Sequence, residues 1–391
     1  MFGNVKPKWY IGIGVLFITI AFFIFGAVPL QARLGMWGLA ITELAILVFA
    51  LIPIWLFKWK FKDVIPIKKV TSRQLSATIL FFFAALFTAV AISNITGYFF
   101  PKAIQTGNEL TDFYLSVPLA LSVAIMGIMP GICEEVLHRG LILYTLKSQK
   151  NDTVKIILMA AIFGIFHIDP YRFLPTALIG LVLSYIMIKT ENILLPVLLH
   201  FANNAVSVLL SYLAYGAAGT NQMSSMPLAG VGAWLVLSAL SPFLFYAAAK
   251  LLNNAERKSK KIYAVAALSA LLAVVGISLV TISTAKTIAN FSFTEAVNNS
   301  TSPTMHPLEI ENAGMYDLSF AIKAENDNCK TSVLVESETG EVIWNTETGS
   351  DWSGNKNFFL QVGKYTVSFV YDCKSEQAIE VEINFRVVQT R

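Results

Sequence analysis

The chain has 391 residues, of which 55% are hydrophobic and only 14% are charged. Soluble domains carry about 25% charged residues, so this composition excludes an ordinary soluble protein and indicates a membrane protein. The charge is uneven: residues 1–290 hold 22 Lys/Arg and 10 Asp/Glu, whereas residues 291–391 hold 7 Lys/Arg and 15 Asp/Glu. We therefore predict a multi-span transmembrane domain over 1–290 and a soluble domain over 291–391. No basic stripe points to a nucleic acid partner.

Long apolar runs fill the first domain. A transmembrane helix needs about 20 apolar residues, and nine runs are candidates. They lie near residues 9–30, 36–57, 75–99, 112–132, 154–170, 172–188, 192–216, 228–250 and 262–283. The fourth run continues into a helix that ends near residue 147. The sequence predicts an all-α polytopic membrane bundle of about nine transmembrane helices, embedded in the lipid bilayer.

Two basic loops indicate how this bundle is oriented. Residues 58–73 contain six Lys/Arg and one acidic residue, and residues 250–261 contain five Lys/Arg and one acidic residue. The positive-inside rule assigns both loops to the cytoplasm. The uncharged stretch 217–227 then falls outside, the amino terminus lies inside and the tail after residue 283 lies outside. We expect a plasma membrane protein with an extracytoplasmic carboxy-terminal domain.

The acidic tail has the pattern of a small all-β domain. Residues 332–335, 342–344 and 365–371 show strand periodicity or are rich in β-branched and aromatic residues. Breaks are predicted at Thr339-Gly340 and at Ser353-Gly354. The sequence predicts an antiparallel β-rich fold, most simply a β-sandwich.

A polar linker over 298–303 is expected to lead into this domain. Cys329 and Cys373 could pair there if the domain faces an oxidising compartment, and a bridge would suit a domain of this size. His306 stands beside a proline in the linker region and is expected to be solvated. Cys133, in the membrane domain, has no activating neighbour that we recognise in the sequence and is interpreted as a packing residue.

Four ionisable side chains occur together in the fourth apolar run, namely Glu134, Glu135, His138 and Arg139. Charged residues at membrane depth are costly, so they are functional candidates by default. Pro130-Gly131 is expected to break or kink the preceding span, so that a new helical turn starts near residue 132. At i, i+4 spacing Glu135 faces Arg139 and Glu134 faces His138. Arg139 would then neutralise Glu135 and leave Glu134 free, although a structural Glu–Arg brace between helices has the same pattern.

Two further polar motifs follow on apolar helices. His167 comes four residues after Phe163, and Asn204 comes four residues after His200, so each pair shares a helix face. Taken singly, such residues are more often hydrogen-bonded contacts between helices. Counted along the predicted spans at about 1.5 Å per residue, however, Glu134, His167 and His200 lie at similar depths. They can converge on one water-containing cavity.

The ordered triplet E-E-x-x-x-R, F-x-x-x-H and H-x-x-x-N resembles the CAAX-protease and bacteriocin-processing family of intramembrane endopeptidases, over about residues 110–215. The resemblance implies a type II CAAX prenyl protease-like activity. It implies that Glu134 is the catalytic carboxylate, with His167 beside it to activate water. It also implies that Glu135 and Arg139 are the second Glu and the Arg of the first motif. His200 and Asn204 would stabilise the oxyanion.

Peptide hydrolysis by a Glu/His pair that deprotonates water needs no cofactor, and we favour it. The alternative is metal activation, in which Glu134, His167 and His200 would be a Zn²⁺ ligand set with an open position for water. The expected partner is a peptide or protein substrate. A non-catalytic transporter, scaffold or immunity protein that uses the same buried polar cluster is the competing function. The sequence leaves open the substrate, the role of the β domain and the oligomeric state.

Overall fold

The computed structural model describes residues 6–218, 226–253, 261–283, 286–325, 328–347, 351–374 and 376–390. The chain forms two compact units, Met1–Val280 and Thr281–Arg391. Much of the uncharged stretch 217–227 and of the basic loop 250–261 lies outside the described residues.

The first unit is helical. Its principal helices within the described residues are α1 (Trp9–Leu34), α2 (Met36–Leu56), α3 (Ser72–Phe99), α4 (Pro101–Leu115), α5 (Leu119–Ser148), α6 (Asp152–Phe166), α7 (Phe173–Thr190), α8 (Leu194–Ala218), α9 (Leu228–Leu252) and α10 (Lys261–Ser283).

The described helices include eight that are long and apolar enough to cross a membrane, so the chain is a multi-pass integral membrane protein. Eight of the nine predicted runs correspond to these helices. The exception is the fifth run, 154–170, which forms α6. At 15 residues α6 is only about 22 Å long, because it ends at Phe166, ahead of the turn that carries Asp169-Pro170. It packs beside α7 in a short helical hairpin.

Helix α5 is continuous but irregular. Of the predicted break or kink at Pro130-Gly131, the break is wrong, because the helix runs through both residues. Two π-helical turns stand on either side of them, Ala124–Ile128 and Val136–Ile142. Proline cannot donate a backbone hydrogen bond, and an added residue in a π turn lets the helix absorb that loss without ending. The motif residues therefore lie inside a buried helix and not at its start.

The second unit is all-β, as predicted. Its strands are β1 (Lys286–Val297), β2 (Thr304–Ile310), β3 (Gly314–Ala324), β4 (Cys329–Ser337), β5 (Val342–Glu347), β6 (Asp351–Leu360), β7 (Gly363–Cys373) and β8 (Ile379–Thr390). They form two antiparallel four-stranded sheets, in the orders β1-β8-β3-β6 and β2-β7-β4-β5. Inward-facing side chains of both sheets share one hydrophobic cluster.

Several predictions for this unit can be checked in detail. The three predicted strands lie within β4, β5 and β7, and the turn at Gly340 separates β4 from β5. The break predicted at Ser353-Gly354 is wrong, because both residues pair with β3 inside β6. Cys329 and Cys373 oppose one another on β4 and β7 and form a disulfide.

The stretch 298–303 does not lead into the domain, because it is the loop between β1 and β2. His306 is likewise not a solvated linker residue. Its ring stacks on Phe291 at 4.1 Å, and its Nε2 is buried and has no hydrogen-bond partner among the described residues. Alternation of the side chains along β2 turns His306 towards the aromatic side of the sheet, which sequence inspection did not detect.

Candidate active site

The Glu–Arg pair of α5 is present as expected. Arg139 Nη1 lies 2.7 Å from Glu135 Oε1, and neither side chain is exposed. The second i, i+4 prediction is wrong in its detail. His138 Nδ1 donates to the backbone carbonyl of Glu134 at 2.8 Å, and its ring lies between Phe163 and Phe166. The backbone carbonyl of Glu134 lies close to the ring and accepts its N–H, so the carboxylate of Glu134 does not accept this hydrogen bond.

Glu134 therefore keeps an unpaired carboxylate. The residue is 8% exposed, and its Oε2 has no hydrogen-bond partner among the described residues. A buried carboxylate without a partner is rare, because removal from water costs several kcal/mol unless hydrogen bonds or counter-charges compensate. Such a group indicates a functional role more strongly than a packing role.

Glu135 is held on two sides. Its Oε1 accepts from Arg139 and also from His200 Nδ1, 2.9 Å away. Because an ionised carboxylate has no proton to give, His200 must donate through Nδ1, which leaves Nε2 free to face the opposite side of the ring. Glu135 thus fixes the orientation of His200.

Arg139 extends the same network to the α6–α7 hairpin. Its Nη2 donates to the carbonyl of Gly180 at 3.0 Å, and the guanidinium lies 4.5 Å from the ring centre of Phe163. A side chain on Gly180 would collide with Phe163, since an added Cβ would come within 2.7 Å of it. The glycine therefore allows α6 and α7 to pack closely, and its carbonyl accepts the hydrogen bond from Arg139.

Gly131 has the corresponding role for α8. An added Cβ at this position would lie 3.2 Å from the backbone nitrogen of Phe201 and 3.3 Å from its Cβ. The absence of a side chain lets two membrane helices pack closely, as small residues do in general. This contact brings His200, the residue before Phe201, beside Glu135.

Asn204 has a defined structural partner. Its Nδ2 donates to the carbonyl of Met126 at 3.0 Å. In an α-helix this carbonyl would accept from the N–H of residue 130, which is a proline and has none. Asn204 therefore satisfies the backbone acceptor that Pro130 leaves free, and it retains a second N–H.

His167 follows the last residue of α6. Its Nδ1 donates to the carbonyl of Phe163 at 2.8 Å, which is the i, i+4 relation expected from the sequence. A carbonyl can only accept, so this contact leaves Nε2 of His167 with its lone pair. The nitrogen can act as a base or hold a water molecule.

The three motifs meet at one cavity, as the depth argument predicted. Glu134, His167, His200 and Asn204 all line a cavity of about 360 Å³. A smaller cavity of about 180 Å³ reaches the last three of them from another direction. Glu135 and Arg139 lie behind His200 and line neither cavity, so their position supports the site without entering it.

Free Cys133 is buried and lines neither of these cavities, in agreement with its interpretation as a packing residue. The metal alternative finds no support in the geometry. Among the described residues no three His, Cys, Asp or Glu side chains come together closely enough to hold a metal ion. We therefore derive no chemical step through a metal.

The cavity residues that sequence inspection missed include Glu43 of α2 and Arg172, which directly precedes α7. Glu43 is 2% exposed and its Oε2 has no partner among the described residues. It is the single charged residue of an otherwise apolar span, which is the signal that could have revealed it. Arg172 follows the short turn after His167, and no local pattern connects it with the distant motifs.

Known proteins share the segment that builds this cavity. Residues 116–206 match the family model described as type II CAAX prenyl endopeptidase Rce1-like. Over this segment the chain is similar to the CAAX-protease and bacteriocin-processing family. A protein of Bacillus subtilis (strain 168) named "Putative membrane peptidase YdiL" is 28% identical over 131 residues, which are 33% of this chain. The match spans about half of that relative's length, 53%.

The family segment includes Glu134, Glu135, Arg139, His167 and His200, and it also includes Asn204 and Arg172. Glu43 and the whole β unit lie outside it. The features that the family resemblance implied are therefore confined to α5–α8, and the remaining parts of the chain require their own explanation.

Proposed function

We propose that the protein is an intramembrane endopeptidase that hydrolyses a peptide bond of a membrane-associated peptide or protein. One observation carries the proposal. The carboxylate of Glu134 is buried and has an unpaired oxygen, and it shares a cavity with His167, His200 and Asn204. The match to a peptidase family over this segment supports the same conclusion. A scaffold could use the Glu135–Arg139 brace but has no need for an unpaired carboxylate beside it, and the match to a peptidase family favours hydrolysis over a transporter that relays protons.

In the proposed reaction Glu134 removes a proton from a water molecule that His167 Nε2 helps to hold. The hydroxide attacks the scissile carbonyl carbon. The second N–H of Asn204 and a protonated Nε2 of His200 then donate to the oxyanion of the tetrahedral intermediate. Glu135 fixes the orientation of His200, because its carboxylate accepts a hydrogen bond from Nδ1. Glu135 and Arg139 act as positioning residues.

The orientation of the chain is part of the proposal. Five of the eight spans separate loop 58–73 from loop 250–261, which would place these two basic loops on opposite sides. If α6 also crosses the membrane, six helices separate the two loops. Both loops then lie in the cytoplasm, as the positive-inside rule requires. We propose this arrangement, with the amino terminus inside and the β unit outside the plasma membrane.

The β unit fits an extracytoplasmic position. Its two sheets share one core and its disulfide links β4 to β7, which is typical of a small β-sandwich in an oxidising compartment. Labelling of a cysteine introduced at Thr301, with a membrane-impermeant maleimide in intact cells, tests this position. Labelling only after the membrane is made permeable would contradict it.

The enzymatic proposal is tested with purified protein in detergent and a library of quenched fluorescent peptides, with and without a strong chelator. We expect cleavage by the wild type that survives chelation and is lost in Glu134→Gln and Glu134→Ala. Glu309→Gln, which changes an exposed carboxylate of β2, is the matched control. Full cleavage by Glu134→Gln would refute the assignment of Glu134. Loss of activity on chelation and recovery with Zn²⁺ would establish the metal mechanism instead.

A further inference from the structure

A second buried carboxylate faces the cavity from outside the family segment. Glu43 lies on the face of α2 that packs on α5, because Met36 and Ala40 of the same face form a cluster with Ile125. The positions 36, 40 and 43 follow helical periodicity. Glu43 is therefore the polar residue of an otherwise apolar contact face, and it lines the same 360 Å³ cavity as Glu134.

The surroundings of the two carboxylates differ. Glu134 lies on the same helix as Arg139, next to the Glu135–Arg139 ion pair, whereas Glu43 is the single charged residue of α2. The Oε2 atoms of both residues have no hydrogen-bond partner among the described residues.

Two carboxylates that share one low-dielectric site cannot both be ionised without strong repulsion, so such pairs retain one proton. Arg139, on the same helix, favours the negative charge on Glu134. Glu43 lies on a span that holds no Lys or Arg, so the proton belongs on Glu43. A pair of this kind provides a base and an acid at the same time, which peptide hydrolysis requires.

The histidines and the arginine of the cavity do not supply this acid. His167 commits its Nδ1 proton to the carbonyl of Phe163, and His200 commits its Nδ1 proton to Glu135. In the proposed mechanism the Nε2–H of His200 stays with the oxyanion. Arg172 is too weak an acid to protonate an amine.

We propose that Glu43 is the general acid that protonates the leaving amine, an inference that rests on the proposed peptidase function. Glu134 takes a proton from water while the water oxygen bonds to the carbonyl carbon. When the C–N bond breaks, its electron pair remains on nitrogen, which receives the proton of the Glu43 carboxyl group. Transfer of the proton from Glu134 to Glu43 then restores the starting state. One water molecule is consumed, and no oxidant or reductant is needed.

The test compares two leaving groups. One substrate is a peptide that the wild type cleaves in the quenched library. The other is the acyl half of that peptide as its nitrophenyl ester, whose phenolate leaves without protonation. For Glu43→Gln we expect kcat on the peptide to fall by about 10²–10⁴-fold, the usual contribution of a general acid, and kcat on the ester to stay within about threefold. Glu43→Asp should recover part of the peptide activity, and Glu309→Gln should leave both rates unchanged.

Three results would overturn the inference while the peptidase function stands. The first is an equal loss of kcat on both substrates, which indicates a structural role. The second is no loss of kcat on either substrate. The third is a Glu43→Asp variant that cleaves the peptide no faster than Glu43→Gln. Thermal unfolding of each variant shows whether a loss of activity is caused by misfolding. If Glu43→Gln misfolds, Glu43→Asp is compared with the wild type on both substrates instead. If Glu134→Gln were as active as the wild type, the proposed mechanism at Glu134 would be refuted instead. The proposed role of Glu43 would then be refuted as well.

Discussion

Arg139 is the residue whose replacement gives the sharpest test of how the site is held together. In Arg139→Met the carboxylate of Glu135 loses its counter-charge while it remains fully buried. Removal of one partner of a buried ion pair costs about 3–5 kcal/mol, because the other charge is left uncompensated. The lost donor to the carbonyl of Gly180 and the lost contact with Phe163 add about 1 kcal/mol each. We expect a total loss of about 5 kcal/mol of unfolding free energy.

The double variant Glu135→Gln/Arg139→Met separates the charge from the other contacts. A neutral amide removes the uncompensated charge, so we expect the double variant to be more stable than Arg139→Met by at least about 2 kcal/mol. The amide oxygen can still accept from Nδ1 of His200. The free energy of unfolding is measured by titration with sodium dodecyl sulfate in mixed micelles. A cost below about 1 kcal/mol for Arg139→Met, or a double variant no more stable than the single one, would refute the reasoning.

Three further predictions concern other parts of the chain. Gly131→Ala should reduce peptide cleavage by about tenfold, because α8 must shift by a few tenths of an ångström, whereas Gly14→Ala, whose Cβ meets nothing within 4 Å, should not. Loss of the Cys329–Cys373 disulfide, which spans 44 residues of sequence, should destabilise the β unit by about 4 kcal/mol, measured by hydrogen exchange of β4 amides in the full-length protein. Burial lowers the pKa of His306, with a smaller opposing effect of Glu295. The unfolded chain therefore binds more protons below about pH 6.5, and the β unit should lose stability as the pH falls through this value. Hydrogen exchange of β2 in His306→Phe, compared with the wild type at each pH, should show a weaker dependence. An equal pH dependence in both proteins would contradict the assignment.

Local sequence patterns were sufficient to predict features that depend on a single helix or strand. The spacing of Glu135 and Arg139 predicted their ion pair, because residues four apart on a helix are always neighbours. The same rule failed for Glu134 and His138, since the backbone carbonyl of Glu134 lies even closer to the ring. Helix ends were also harder to predict. The apolar run 154–170 gave no sign that α6 would end at Phe166.

Contacts between distant elements could not be predicted in the same way. Nothing near His200 in the sequence shows that its Nδ1 meets Glu135, 65 residues away. The contact depends on the close approach of α8 to Gly131. The membership of Glu43 in the cavity depends similarly on how α2 packs on α5.

The sequence by itself determined that this is a membrane protein with an all-β tail, and it determined which residues carry the family motifs. Composition and periodicity are sufficient for this, because burial in lipid or in a sheet imposes a pattern on every segment. Only the tertiary structure decided which motif residues line the cavity and which stand behind it, and it added Glu43 and Arg172 to the site. The reason is that helix packing is set by the shapes of several contact faces together, and no single segment records that arrangement.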